Sequence, residues 1–159
     1  MCKMIEIERK FLVKDQSYEN EVVTSRAIKQ GFLSTDPNRT VRIRVEETRG
    51  FITVKGISTD GGVSRFEWEN PLSKAAAEAL FRLCLPGKIE KTRHVVSVGS
   101  HLFEVDVFGG DNQGLIVAEV ELSEPNQAFE KPAWLGVEVT GEKKYYNASL
   151  SQHPYKDWK

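Results

Sequence analysis

The sequence predicts a mainly β protein with few helices, built on an antiparallel sheet that either closes or packs on itself. Three observations predict it. Stretch after stretch alternates apolar with charged residues at period two, the spacing of the two faces of a strand. Turn signals such as "EETRG" and "STDGG" separate these stretches at hairpin distance. Only one segment, "SKAAAEALFRLCL", carries a clear helical pattern, so about eight strands share the chain with few helices.

The first strand is expected over 4–13, "MIEIERKFLV", with Glu6, Glu8 and Lys10 on one face and Ile5, Ile7, Arg9, Phe11 and Val13 on the other. A short helical or irregular stretch, "DQSYENEVVTS", follows, with Ser17 as its N-cap. Strands are then expected over 27–34, 40–47, 51–56 and 63–71. Ser73 suits the N-cap of a helix over 74–85, which Pro86-Gly87 ends. Its residues Ala75, Ala79, Leu80, Leu83 and Cys84 offer an apolar face for covering a sheet. Strands resume over 88–98 and 101–108, joined through Gly99-Ser100. Another is expected over 115–122 after the loop "GGDNQG", and a short one over 137–140. "KKYYNASLSQ" reads as a short terminal helix before the aromatic tail "HPYKDW". No linker or composition break divides the chain, so residues 1–159 are expected to form one domain.

The polar faces of these strands are unusual. Arg42 and Arg44 share a face, as do Lys91 and Arg93; Lys55 stands opposite Val54 and Ile52. Arg65, Glu67 and Glu69 alternate with Phe66 and Trp68, Glu104 and Asp106 with Phe103 and Val105, and Glu119 and Glu121 with Val120 and Leu122. Glu138 sits between Val137 and Val139. A merely solvated face mixes in Thr, Ser and Gln, whereas here paired charges fill it, roughly 6.5 Å apart along each strand. Desolvated ions cost several kcal/mol each unless paired. Charges gathered inside a closed sheet therefore imply a bound ligand: bases for a polyanion, carboxylates for a hard divalent cation. On pattern alone a salt-bridged outer surface fits as well, because exposed ion pairs are nearly neutral in energy.

Composition narrows the function classes. Hydrophobic residues make up 40% and charged residues 28%, ordinary for a globular domain. The net charge of −1 provides no global field for nucleic acid or anionic membrane. The first ten residues hold no apolar signal segment and no stretch approaches transmembrane length, so a cytoplasmic protein is expected. Cys2 and Cys84 form no disulfide or metal framework; Cys84 reads as core and Cys2 as incidental. The glycosylation sequon at Asn147-Ala148-Ser149 carries no weight without a secretory signal. The three histidines are scattered. No Gly-rich phosphate loop is present.

The stretch Glu6-Ile7-Glu8-Arg9-Lys10 resembles the E-x-E-x-K signature of the CYTH group, the triphosphate tunnel metalloenzymes. The likeness continues in family order through "QGFL", "RIR", "TVKG", "RFEWE", "EKTR", "FEVDVF", "AEVEL" and "GVEVTGEKKYYN", nearly the whole chain. The resemblance implies a closed eight-stranded antiparallel β-barrel whose interior is a charged tunnel. It implies Mg²⁺ or Mn²⁺ as cofactor, held by Glu6, Glu8, Glu119 and Glu121. Lys10, Arg42, Arg44, Lys55, Lys91 and Arg93 would grip phosphates, joined by Arg65. Glu67, Glu69, Glu104, Asp106 and Glu138 would complete the acidic side. Glu6, Glu8, Lys10, Glu119 and Glu121 form the implied catalytic set.

The compact chain resembles bacterial inorganic triphosphatases, and hydrolysis of triphosphate to pyrophosphate and phosphate is the expected activity. A class IV-type adenylate cyclase, a thiamine or nucleoside triphosphatase, and a polyphosphate-binding module without turnover are the alternatives. An organic substrate would need an added pocket. Phe32, Trp68 and Trp134 are available for one, but their ordinary role is packing. The expected partner is a small-molecule triphosphate, with no nucleic acid or membrane, in a monomer or homodimer. Lys143, Lys144 and the terminal helix either plug one tunnel mouth or form a plain surface helix.

Overall fold

The alternating opening stretch folds as β1, Ile5–Val13, and becomes the seam of a closed ring. In the computed structural model, which describes residues 4–158, β1 pairs along one edge with β8, Ile116–Glu121. Its other edge is shared. Ile5 to Ile7 pair with β5, Ser64–Ser73, while Phe11 and Val13 pair with the short β9, Leu135–Glu138. Between β5 and β8 run β4 (Arg49–Thr59), β3 (Thr40–Val45), β2 (Val22–Ser34), β6 (Ile89–Val98) and β7 (His101–Phe108). The ring order is β5-β4-β3-β2-β6-β7-β8-β1 and back to β5, every pairing antiparallel. Closure leaves this sheet of eight without a free edge in the ring, and β9 covers the part of β1 that β5 does not reach.

The apolar faces of the strands point outward, and covering elements bury them. Phe11, Val96, Val98, Phe103, Val105, Ala118 and Val120 pack under Tyr18, Trp134, Leu135 and Phe129. The helix α1, Lys74–Phe81, lays Ala77 over Ile43 and Val45, with Cys84 beside it. Its backbone comes so close to β4 that a Cβ on Gly50 would collide with Ala77. The outer sector formed by β1 and β5 stays open, with Ile5, Phe66 and Trp68 exposed.

Inside, the character of the ring changes along its axis. The inward residues of β1 run Glu6, Glu8, Lys10, Leu12, and those of β8 run Glu121, Glu119, Val117 before Leu115. At one end of the interior Phe32, Ile89, Phe108, Leu115 and Val117 meet Val139, Tyr145 and Leu150 from the C-terminal segment. The helix α2, Asn147–Gln152, therefore plugs this end, with Leu150 fully buried. Of the two readings of the terminal segment, the plug holds for α2, while Lys143 and Lys144 stay exposed at the surface. Tyr155 and Trp158 pack against the same cluster from outside.

Several expected boundaries move, each for a tertiary reason. β2 begins at Val22, because residues from Val22 to Arg26 pair with β6, an extension that the polar stretch "VVTSR" does not signal. The cap of the stretch before it is Asp15, whose carboxylate accepts from the Ser17 amide at 2.8 Å; Ser17 is not the cap. Ser73 caps α1 as expected, accepting from the Ala76 amide at 3.1 Å. That helix stops at Phe81 rather than 85, since the Leu85 amide donates to the Phe32 carbonyl on β2 at 2.8 Å. Leu83 consequently faces solvent. Cys84 is buried as expected, while Cys2 lies outside the described residues. Among the described residues no helix is long and apolar enough to cross a membrane.

Candidate functional site

The interior opens into a cavity of about 230 Å³. Its wall is split by charge. Lys55 on β4, Arg42 and Arg44 on β3, Arg26 on β2 and Arg93 on β6 line one continuous half of the ring. Glu104 on β7, Glu119 and Glu121 on β8, Glu6 and Glu8 on β1, and Glu67 and Glu69 on β5 line the other. Two cations break the division. Lys10 lies over the Tyr146 ring at 5.3 Å with Nζ 3.4 Å from the Tyr145 carbonyl. Arg65 donates from Nε to the Gly56 carbonyl at 2.6 Å and from a terminal nitrogen to Thr40 Oγ1 at 3.0 Å.

The halves touch across their boundaries. Lys55 Nζ donates to Glu6 Oε1 at 2.8 Å and stands 3.4 Å from Glu67. Arg42 and Arg44 reach Glu69 at 3.7 and 3.8 Å, and Arg93 reaches Glu104 at 3.3 Å. Thr53 donates to Glu69 at 2.7 Å.

The carboxylates crowd one another in twos. Glu8 lies opposite Glu121, and Glu119 opposite Lys10, in the β1–β8 register. Burial, then the neighbouring Glu119 and Glu6, push Glu8 far above the usual carboxyl range, which favours the protonated form hydrogen-bonded to Glu119. Burial opposes ionisation of Glu119 too, but Lys10, the Glu8 hydrogen bond, Arg93 and Lys91 hold it well below the usual range. Burial and Glu6 raise Glu67 to about 7. Glu6, buried as well, is kept ionised by Lys55. Among the described residues no group of three or more Asp, Glu, His or Cys side chains is placed to cage a metal ion. The donor set nevertheless fits a hard dication. It is all oxygen, it is short of positive charge, and Mg²⁺ commonly takes one or two carboxylates and completes its shell with waters and substrate phosphates.

Not every expected residue reaches the cavity. Lys91 and Asp106 are fully buried behind it, joined at 2.7 Å, with Asn147 Oδ1 3.3 Å from the same Nζ. Asp106 also takes Arg93 in a two-point grip of 2.7 and 2.9 Å. Burial outweighs Asp106 at Lys91 and lowers it to about 8; at Arg93 the carboxylate wins and raises it. Glu138 is a correction. It is not a tunnel acid, because β9 pairs with β1 and sets it beside the outward Phe11, where it binds Arg9 at 2.9 Å and accepts from Thr140 at 2.7 Å. Trp134 belongs to the outer core and Trp68 to the outer face, while Phe32 does line the cavity.

Two charged groups escaped the sequence reading. Glu46 is buried beside Arg44 at 3.0 Å and Arg26 at 3.4 Å. It stands in phase with Arg42 and Arg44, so the signal was present. Arg26 carried none, as it lies in the unrecognised start of β2. Tyr146 and Asn147 join the lining through the plug.

The model of the CYTH domain matches residues 4–155. An inorganic triphosphatase of Acetivibrio thermocellus is 41% identical over 155 residues, 97% of each chain. One of Nitrosomonas europaea is 38% identical over 152 residues, covering 93% of this chain and 97% of that protein. The crystal structure of the inorganic triphosphatase NE1496 superposes with a TM-score of 0.65 at 34% identity, over 92% of this chain and 97% of the other. A match over almost the whole ring, including both charged halves, settles the family: this chain belongs to the CYTH domain proteins, a family that implies a divalent metal.

Proposed function

We propose that this protein hydrolyses inorganic triphosphate to pyrophosphate and phosphate with Mg²⁺ or Mn²⁺. The observation that carries the reading is the charge-divided cavity: a basic half to hold a phosphate chain faces an acidic half able to hold a cation. Apolar lining is confined to Phe32, Val63, Ala148 and Tyr146, little for an organic group to rest on. The two relatives that match along nearly their full lengths carry the same activity by name.

Glu6, Glu8, Glu119 and Glu121 would hold the metal, with Glu8 giving up its proton as it does so. A bound dication supplies charge neutralisation on the phosphate oxygens and lowers the barrier to forming hydroxide from water. Arg42, Arg44, Lys55 and Arg93 fix the phosphates in line and neutralise the leaving pyrophosphate, the main protein contribution to phosphoryl transfer. Lys10 and Arg65 hold the phosphate nearest the plug. Lys91 and Asp106 act from behind, keeping Arg93 aimed at the cavity. Water attacks the terminal phosphorus, the P–O bond to pyrophosphate breaks, and the water's proton passes to a carboxylate of the acidic half.

The test is product identification with Mg²⁺ and either triphosphate, ATP or thiamine triphosphate. Phosphate from triphosphate is expected. Cyclic AMP with pyrophosphate from ATP would instead make the protein a cyclase, and tight binding without product a binding module. Glu8→Gln and Glu121→Gln are expected to lose at least about 100-fold in kcat, the scale for removing a key electrostatic group. Near-wild-type, Mg²⁺-dependent phosphate release by either variant refutes the metal assignment.

A further inference from the structure

Arg26 is the one cation of the basic half that the family signature does not mark. It lies on β2 directly opposite Arg93 of β6, and both side chains line the cavity. Like charges placed opposite one another across a strand pair destabilise the sheet. The compensation offered to Arg26 is loose. Glu46 stands 3.4 Å away and Glu104 3.7 Å, too long for good hydrogen bonds, and Glu104 is shared with Arg93. The Arg26 Nε is buried without a hydrogen-bond partner among the described residues. The side chain is nevertheless 32% exposed, and its terminal nitrogen, 3.7 Å from Glu104, is left for an anion's oxygen, a charge-assisted contact that shortens and strengthens when made.

Position supplies the rest. The inward residues of β2 run Arg26, Ile28, Gln30, Phe32, with Phe32 in the apolar floor beneath the cavity. Arg42 is in register with Phe32 and Arg44 with Gln30, so Arg26 lies farther from the plug than either. Glu46, only 7% exposed, touches Arg44 at 3.0 Å and Arg49 at 3.3 Å as well as Arg26, and so ties the outer station to the inner ones. The geometry points to Arg26 as a further substrate-binding residue that takes the phosphate farthest from the plug, with Glu46 as its positioning residue. The inference rests on the triphosphatase reading for the identity of the anion.

The experiment titrates inorganic triphosphate and pyrophosphate by calorimetry, without added divalent metal, into wild type, Arg26→Gln and Arg26→Lys. Phosphate release with Mg²⁺ is measured alongside. Arg26→Gln is expected to weaken triphosphate about ten-fold, the scale of one charged hydrogen bond, and to raise KM by a similar factor with kcat within about two-fold. Arg26→Lys restores most of the loss. Pyrophosphate, short enough to sit on the inner cations, binds all three proteins within about two-fold. Unchanged triphosphate binding by Arg26→Gln overturns the inference. So does an equal loss for both anions, which would make Arg26 a source of general field rather than a station. A wild type that binds triphosphate but releases no phosphate refutes the hydrolase reading alone, and the binding comparison still decides on Arg26. Because the Arg26 side chain is 32% exposed, both variants should unfold near the wild-type temperature.

Discussion

Replacing Asp106 by Asn removes the single carboxylate that holds two buried cations, Lys91 at 2.7 Å and Arg93 at 2.7 and 2.9 Å. Breaking a buried ion pair from one side typically costs about 3–5 kcal/mol. Two features put this site at the low end. Arg93 keeps Glu104 at 3.3 Å, and Lys91, already lowered to about 8 with its partner present, would fall further and shed its proton at neutral pH. A loss of about 3 kcal/mol corresponds to a fall of roughly 6–12 °C in the unfolding midpoint for a chain of this size. A lysine whose folded-state pKa lies below its unfolded one binds fewer protons when folded, so stability rises with pH through that window. In the variant the window starts lower than in wild type, so the deficit should shrink between about pH 6 and 8. Thermal unfolding followed by circular dichroism at half-unit steps measures it. A midpoint within about 2 °C of wild type at pH 7, or a deficit that grows toward pH 8, refutes the account of the clamp.

Two further outcomes follow from burial. Glu67 has a folded-state pKa raised to about 7, so between the ordinary carboxyl value and 7 the folded protein binds a proton that the unfolded chain has released. Stability of the metal-free protein should fall as pH rises through that window, and Glu67→Gln should be more stable than wild type at pH 8 by about 1 kcal/mol after discounting for its partial exposure. Equal denaturant midpoints at pH 8 would count against it. Leu150→Ala opens a hole in the plug at a fully buried position, and a loss of about 2–5 kcal/mol is expected in denaturant unfolding. An unchanged midpoint would mean that α2 does not seal the ring.

The pairing of charges on β1, β3, β5, β6, β7 and β8 raised a charged interior to equal standing with a salt-bridged outer surface, and the resemblance of the motifs in family order, from "EIERK" to "GVEVTGEKKYYN", decided for the closed ring. What alternation could not show is where the charged interior ends. The inward positions of β1 pass from Lys10 to Leu12 and those of β8 from Glu119 to Val117, a switch that reads in sequence as ordinary strand ends. Only the C-terminal segment, brought back by the fold, reveals it as a floor. Glu138 misled for a related reason. It obeys the local period, but β9 pairs with the edge of β1 in register with the outward Phe11, and period alone does not say which face of a short strand turns inward. Arg26 stayed hidden because its strand is held by pairing with β6 rather than by any pattern of its own.

The arginines of the cavity make ion pairs of two kinds, while Lys55 is held at 2.8 Å by Glu6 inside the cavity. Arg93 is gripped at 2.7 and 2.9 Å by Asp106, which lies behind the cavity wall, whereas Arg42 and Arg44 meet Glu69 only at 3.7 and 3.8 Å, along the wall over Thr53 of the intervening β4. The first kind of contact sets direction and has no reason to change when an anion arrives. The second kind spares the cavity an unbalanced field and is long enough to yield to a competing anion. On the proposed reading a triphosphate would compete with Glu69 and Glu104 for the arginines, while a metal ion would compete with the proton that burial favours on Glu8. Each exchange would leave charges of the other half uncompensated unless both guests are present. On this argument the anion and the metal should bind with positive coupling, because each removes the charge that keeps the other half of the ring engaged with itself.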